Sequence, residues 1–409
     1  MRTTAWLSLA ADRGDIIIDM YNEQEFIQRA AALRPLLEQN AARTEAERRI
    51  PEEIIRTLED ANLFELMVPK RFGGYGLTME TVLRVSAELA KGCPSTSWVL
   101  TLMNVSSWFA TRAAGRLQED IFSKTIKPRL CGGLMPSCDV QPVEGGVLVS
   151  GRWDFTSGCW HSNWCICGVP ILNGGVKSDE SGWAFIPMSD LTIEDTWFAA
   201  GMKGTGSNTV VANNLFVPGH RLMSLRGEHA DADWAAQCEP EPCDNWPLMS
   251  VLVLVLIGPV LGAAEGALEA VAAGANQRGI KYTVYHRRSE SAVVQHNIAE
   301  AAMMIDTARF HIFRAAADVD RAGVGTESDY LTRARLRADC GYAARAACEA
   351  VNLLMSIAGG SAFKESNPVQ RYWRDINVAG RHSALITATG LEIYGRALLG
   401  IEGNITRVI

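Results

Sequence analysis

The sequence predicts an α+β fold in three parts. These are an N-terminal α-helical domain over residues 1–130, a central antiparallel β domain over 131–230, and a C-terminal four-helix bundle over 231–409, entered through a linker at 231–246. Three observations carry this reading. The chain has 409 residues, too many for one ordinary core. Helical periodicity fills both ends. Between them lie short β-branched or aromatic runs punctuated by Gly, Asn and Pro.

Residues 22–49 alternate apolar and charged positions at helical spacing. "IPEEIIRTLEDANLFEL" follows, with Pro51 at a helix start and acids in the first turn. "PKRFGGYGLT" reads as a glycine-rich loop, and the segment from Thr78 to Ala113 as two more helices. The texture changes near Cys131. "GGVLVSGRWDFTSG", "NWCICGVPIL", "GWAFIPM", "LTIEDTWF" and "TVVANNLFVP" read as strands of one antiparallel sheet or small barrel, with "NGGVKSDESG" as a hairpin tip. Residues 224–246 are acidic and aperiodic, and read as a linker. Helices are then expected over 249–274, 291–322, 329–357 and 383–402.

A hydrophobic content of 48% with 21% charged residues is that of a soluble globular protein. The net charge of −7 argues against nucleic acid, whose phosphates call for a basic surface. "HRRSE" and "RARLR" are basic but surrounded by acids, and read as solvated helix faces or a local anion site. Ten cysteines without CxxC spacing fit reduced thiols in a cytoplasmic protein. The N-terminus is too weakly apolar for a secretory signal. Pro247–Ala264 carries no charge and is long enough to raise the question of a membrane span, but it runs into "EGALEAVAAGANQRG" and reads as a buried core helix; no membrane partner is expected.

"GRWDFTSGCWHSNW" places three of the eleven tryptophans within fourteen residues, which suits either a sheet core or the dry wall of a pocket for a flat ligand. "GTGSNT" at 204–209 lacks the third glycine of a dinucleotide fingerprint and opens no helix, so it reads as a turn between strands. Cys159, His161, Cys165 and Cys167 would share a strand face, but C-x-H and C-x-C are poor chelate spacings; no metal is expected. GxSxG, HExxH and P-loop motifs do not occur.

"GRWDFTSGCWHSNW" followed by "GMKGTGSNTVVANNLFVP", together with "ANQRGIKY", "SIAGGSAF" and "QRYWRDINVAGRH", resembles the acyl-CoA dehydrogenase superfamily from about residue 22 onward. The resemblance implies a flavin between the β domain and the helices, in a homotetramer whose neighbouring subunit completes the site. It implies that Phe155, Thr156 and Ser157 lie against the isoalloxazine ring with a hydroxyl donor near N5. Pro136 and Ser137 would also touch the flavin, and Arg278, Gln295, Gly359 and Gly360 would hold its phosphate and adenosine side. Trp98, Asn104, Trp108, Trp160, His161 and Ser383 would line the substrate pocket.

The dehydrogenases remove an α-proton with a glutamate eight residues after the Asp of "RD". Counting from Asp375 reaches Ser383, which is no unassisted base. The alternative base position near the first bundle helix also lacks a carboxylate. His382 beside Ser383 instead resembles the two-component monooxygenases. These take reduced flavin (FADH2 or FMNH2) from a separate NAD(P)H:flavin reductase, react it with molecular oxygen to a C4a-hydroperoxyflavin, and hydroxylate a small aromatic or polycyclic substrate. His382 would polarise the distal oxygen or take a substrate proton, while Thr156 or Ser157 serves N5. Many such hydroxylases carry another histidine where this chain has "NVSSWF". That departure favours a neutral electron-rich ring, indole- or polyketide-like, over a phenolate. A flavin oxidase or dehydrogenase, an amine N-oxygenase and a non-catalytic assembly partner are the alternatives.

Overall fold

The computed structural model describes residues 11–113, 115–123, 127–173, 176–224, 240–326, 328–401 and 405–406, with the side chains of 11–22 and 172–180 outside that description. Five N-terminal helices come first: α1 (Ala11–Glu47), α2 (Glu52–Asp60), α3 (Met79–Gly92), α4 (Pro94–Ala110) and α5 (Gly115–Phe122). Their starts follow from local chemistry. The Thr78 hydroxyl accepts the Thr81 N–H to cap α3, and Pro94 opens α4, where a missing N–H costs nothing.

Eight strands follow: β1 (Leu130–Gly133), β2 (Cys138–Val143), β3 (Gly146–Thr156), β4 (Trp164–Asn173), β5 (Val176–Pro187), β6 (Thr192–Glu194), β7 (Asn208–Pro218) and β8 (Leu222–Ser224). They form two four-stranded sheets, β1-β4-β5-β8 and β2-β3-β7-β6, rather than one. All pairings are antiparallel except β1 with β4, because the chain crosses to the other sheet between them. Val149, Trp153 and Val210 from one sheet meet Cys165, Cys167 and Ala184 from the other in a single apolar layer. Trp153 also donates Nε1–H to Gly168 O across it (2.9 Å). The expected hairpin tip is mostly strand: Leu172 pairs with Lys177 and Asn173 with Val176, and 174–175 lie outside the described residues.

The linker divides. Residues 225–239 lie outside the described residues, while 240–246 are docked. The Glu241 carboxylate accepts the Lys70 N–H (2.8 Å), Asp244 takes a two-point ion pair from Arg71, and Trp108 donates to Cys243 O (2.9 Å). The apolar stretch becomes α6 (Leu248–Leu254) and α7 (Ile257–Ala275). It has the length and composition of a membrane span, but 89% of its apolar window is buried inside the protein. Gly262 allows α7 to approach the Ala87 backbone of α3 with no room for a Cβ. Then come α8 (Ala292–Gly323), α9 (Tyr330–Ala358), α10 (Pro368–Ala379) and α11 (Thr387–Leu398). The expected 383–402 helix starts four residues late, since 383–385 form a separate 3-10 turn capped by His382. N- and C-terminal helices share one apolar core, from Phe26 and Trp108 to Leu261, Ile305, Leu354 and Ile376, distinct from the core between the sheets.

Candidate functional site

The β3 strand ends irregularly. Its register against β7 shifts between Trp153 and Thr156, and Phe155 takes φ 60, a conformation that costs a bulky residue free energy. The twist turns the Phe155 ring outward, 71% exposed and edge-on to Trp197 at 5.9 Å. It also turns Thr156 inward. That hydroxyl donates to Trp153 O (3.0 Å) and has no exposed surface, so the Thr156 side chain cannot present a group to a ligand, contrary to the sequence expectation. Ser157 is the hydroxyl left at the wall. Its Oγ lies 2.7 Å from Ser207 Oγ, Ser207 lies 2.6 Å from Thr205 Oγ1, and Thr205 donates to Met202 O at 2.8 Å. Met202 N in turn donates to the buried Asp375 carboxylate of α10 (2.5 Å).

One stretch of α4 touches both halves of the site. A Cβ on Gly158 would meet Val99 at 2.7 Å and Met103 at 2.8 Å, so the "FTSG" turn leans directly on the helix. One residue before Val99, the buried Trp98 ring stands 5.9 Å from the His382 ring. His382 is exposed on the turn after α10, yet protein atoms crowd its ring. Burial first, and the Arg337 guanidinium second, lower its pKa to about 4, so the ring is neutral at physiological pH. Its Nδ1 accepts the Ala384 N–H (3.1 Å), which places the neutral ring's proton on Nε2. His382 is therefore a hydrogen-bond donor through Nε2–H. Arg337 itself is 8% exposed; Nη2 makes one long bond to Ser383 O (3.5 Å), and Nε and Nη1 have no hydrogen-bond partner among the described residues. Among the described residues, no carboxylate offsets that shift at His382. Ser383 is exposed on the same turn.

Four expected pocket residues are placed elsewhere. Asn104 is fully buried and spent on backbone: Oδ1 accepts Leu66 N–H (2.8 Å), and Nδ2 donates to Leu63 O (2.7 Å) and Leu100 O (3.0 Å). Trp108 is fully buried, 5.8 Å from Trp246, fastening the linker's end to α4. Trp160 is 44% exposed and lines a charged recess of ≈ 420 Å³ with Arg43, Glu47, Arg48, Arg49 and Asp195, which includes neither Trp98 nor His382. His161 is buried facing Glu52 of α2 (3.6 Å), and burial lowers its pKa to about 4. Cys159, Cys165 and Cys167 sit in the apolar layer between the sheets.

The remaining expected residues form two groups. Pro136 and Ser137 are in the β1–β2 loop, where Ser137 O accepts the Arg152 N–H (3.1 Å). Arg278 lies in the 276–291 segment between α7 and α8, and Gln295 in the first turn of α8, both exposed. Arg278 O accepts the Arg288 N–H (2.8 Å), and Arg288 reaches Gly359, whose φ of 69 turns the chain after α9; a Cβ on Gly360 would meet nothing. Among the described residues, no hydrogen bond joins these four to the Phe155–Ser157 wall.

These residues fit a flavin. Phe155 and Trp197 offer an uncovered aromatic face, Ser157 a buried polar contact at its edge, and Arg278 with the Gly359–Gly360 turn a cation and open backbone of the kind that accepts phosphate. Trp197, Arg337, Asp375 and the Ser207–Thr205 pair were not singled out in the sequence. Only Asp375 had a signal, the "RD" pair.

Comparison with known proteins points the same way. The acyl-CoA dehydrogenase N-terminal domain matches residues 23–116 and the acyl-CoA dehydrogenase C-terminal domain residues 254–386. The chain is 30% identical over 385 residues to the flavin-dependent monooxygenase oxygenase subunit HsaA of Rhodococcus jostii, covering 93% of this chain and 100% of the relative. It is 30% identical over 391 residues to the FADH(2)-dependent resorcinol hydroxylase oxygenase component of a Rhizobium species, covering 92% and 94%. The solved structure of XiaF from a Streptomyces species in complex with FADH2 and glycerol superposes with a TM-score of 0.91 at 29% identity, covering 97% of this chain and all of that one.

Proposed function

Because the chain belongs to the acyl-CoA dehydrogenase family and is a flavin-dependent monooxygenase of its two-component branch, using reduced flavin and oxygen, we propose that it hydroxylates a neutral, electron-rich aromatic or polycyclic substrate held between Trp98, His382 and the Phe155–Ser157 wall. The observation that carries this is the α4 contact pair: neighbouring residues of one helix touch Gly158 and His382, which brings the cofactor wall and the donor to one stretch of α4. Bound reduced flavin supplies the electrons that activate oxygen. The chain's own residues do the rest. Phe155, Trp197 and Trp98 exclude water from the reacting edge. In this reading His382 offers Nε2–H to the reacting oxygen, and a neutral donor polarises that oxygen without releasing a proton of its own. Asn104, fully spent on backbone, supplies no second activating group, which favours a neutral ring over a phenolate.

The assembly is a homotetramer in this reading. Met303 (66% exposed) and Phe310 (76%) lie two turns apart on one face of α8, and such uncovered apolar side chains suit a subunit contact that also brings Arg278, Gln295, Gly359 and Gly360 onto a neighbour's flavin. The protein is cytoplasmic in this reading, in keeping with buried thiols such as Cys93, Cys131 and Cys340 that form no disulfide. The test is reconstitution. The purified chain alone does not oxidise NADH or NADPH; with an added flavin reductase it consumes oxygen and converts an indole or polycyclic acceptor to its hydroxylated product. Rapid NADH oxidation by the chain alone refutes the two-component assignment.

A further inference from the structure

Ser157, Ser207 and Thr205 form a row of three hydroxyls, each at least 94% buried, that ends on a carbonyl. A hydroxyl has one proton, and a carbonyl only accepts. In one order Ser157 donates to Ser207, Ser207 to Thr205, and Thr205 to Met202 O, so all three contacts are hydrogen bonds. In the reverse order Thr205 donates to Ser207 and Ser207 to Ser157. The Ser157 proton then points out of the wall and the Thr205–Met202 bond is lost. Met202 O tolerates that loss because it also accepts Trp197 Nε1–H (2.9 Å). The carbonyl does not move to follow the change, since Met202 N is held by Asp375. The forward order wins by one hydrogen bond, and at rest Ser157 presents lone pairs, not a proton. This reverses the donor role expected from the sequence.

We propose that this row sets the redox preference of the flavin site: Ser207 and Thr205 are positioning residues that hold Ser157 as a hydrogen-bond acceptor, so the wall selects reduced flavin, whose N5 carries a hydrogen, over oxidised flavin, whose N5 is a bare acceptor. The inference rests on the flavin reading above. Oxidised flavin binds only when the row reverses, at the cost of one bond, a factor of about ten or less in relative affinity. The consequence suits an oxygenase fed by a separate reductase, because spent flavin leaves more readily than fresh flavin.

The experiment measures dissociation constants for one flavin in both redox states, by anaerobic titration of tryptophan fluorescence with the chemically reduced form and aerobic titration with the oxidised form. The readout is the ratio of oxidised to reduced constants, for the intact protein and for Ser207→Ala, Thr205→Val and Thr205→Ser. Ser207→Ala and Thr205→Val each lower the ratio several-fold, up to about tenfold, and the double variant lowers it no further, since either break frees Ser157. Thr205→Ser, which restores the hydroxyl, keeps the intact ratio. If Ser207→Ala does not fold, the Thr205 pair makes the same comparison. An unchanged ratio in variants that still bind flavin overturns the relay and leaves the flavin site standing. Failure of the intact protein to bind flavin in either state overturns the functional reading and this inference with it.

Discussion

Replacing Asp375 with asparagine tests how the sheets are held to the last bundle helices. Asp375 is 3% exposed and accepts the Met202 N–H. Burial is the largest influence on its carboxyl and, against the pull of Arg374 and Arg371, raises the pKa from 3.8 to about 7. The folded state thus holds this proton more tightly than the unfolded chain. The sign follows: the group favours folding most at low pH, and stability declines as pH rises from 3.8 through about 7. At about 1.4 kcal/mol per pH unit, the full span is on the order of 4 kcal/mol. The amide of the Asp375→Asn variant would still accept the Met202 N–H but has no charge to bury. The variant should therefore match the intact protein near pH 4.5 and exceed its unfolding free energy by about 2–4 kcal/mol at pH 8. Asp320, raised to about 6, has the same sign; His161 and His382, lowered to about 4, lose stability as pH falls. All three are common to both proteins and cancel in the difference. Asp375→Ala is the contrast, leaving Met202 N–H buried without an acceptor at a cost of about 1–3 kcal/mol at low pH. Urea unfolding at several pH values, followed by tryptophan fluorescence at fixed protein concentration, reads the difference. A difference that does not change with pH refutes the reasoning.

His382→Ala should cut hydroxylated product by about 10²-fold, the usual worth of one well-aimed donor, and raise peroxide release per NADH while flavin affinity stays the same; His382→Gln, which keeps a donor, should recover part of the coupling, and normal product yield from His382→Ala would remove the residue from the reaction. With its pKa at about 4, His382 should leave activity flat across pH 5–8, and Arg337→Met should move the acid limb upward only partway, since burial outweighs the guanidinium; a pH profile identical in both proteins would count against that coupling. Asn104→Ala should destabilise the fold by about 2–3 kcal/mol through the unpaired Leu66 N–H and Leu63 carbonyl, with the substrate profile unchanged; altered substrate preference at intact stability would return Asn104 to the pocket.

Helices were the most legible part of this chain, because their apolar stripes repeat within a few residues. Two helices were not expected, α5 and α10, and α10 carries its own signals: Asn367 caps it, Pro368 opens it, and Val369, Tyr372, Ile376 and Ala379 are buried along one side. The division of strands into two sheets was not legible, since it depends on which side of the domain each connection crosses. Aromatic residue type did not reveal direction. Of the tryptophans in "GRWDFTSGCWHSNW", Trp153 and Trp164 are buried and Trp160 is exposed. The basic run "RARLR" read as a solvated helix face or a local anion site. Arg335 does reach Asp318, but Arg337, two residues on, turns toward the His382 loop. The family pattern located His382 and the "FTSG" wall. It could not tell Thr156 from Ser157, because a register shift in β3 decides which hydroxyl faces inward.

The shared core of the two helical regions has a consequence for how the chain is made. Helices α3 and α4 are complete by residue 110, yet the face of α3 that meets Gly258 and Gly262 has no partner until α7 is synthesised. At ribosomal rates of about 5–20 residues per second, that is a wait of roughly 10–30 s with apolar surface uncovered. The sheets, with an apolar layer of their own, can collapse on the ribosome during the interval. The N-terminal helices can pack on one another in the meantime, but the α3 face that meets α7 stays uncovered until the second half of the chain emerges.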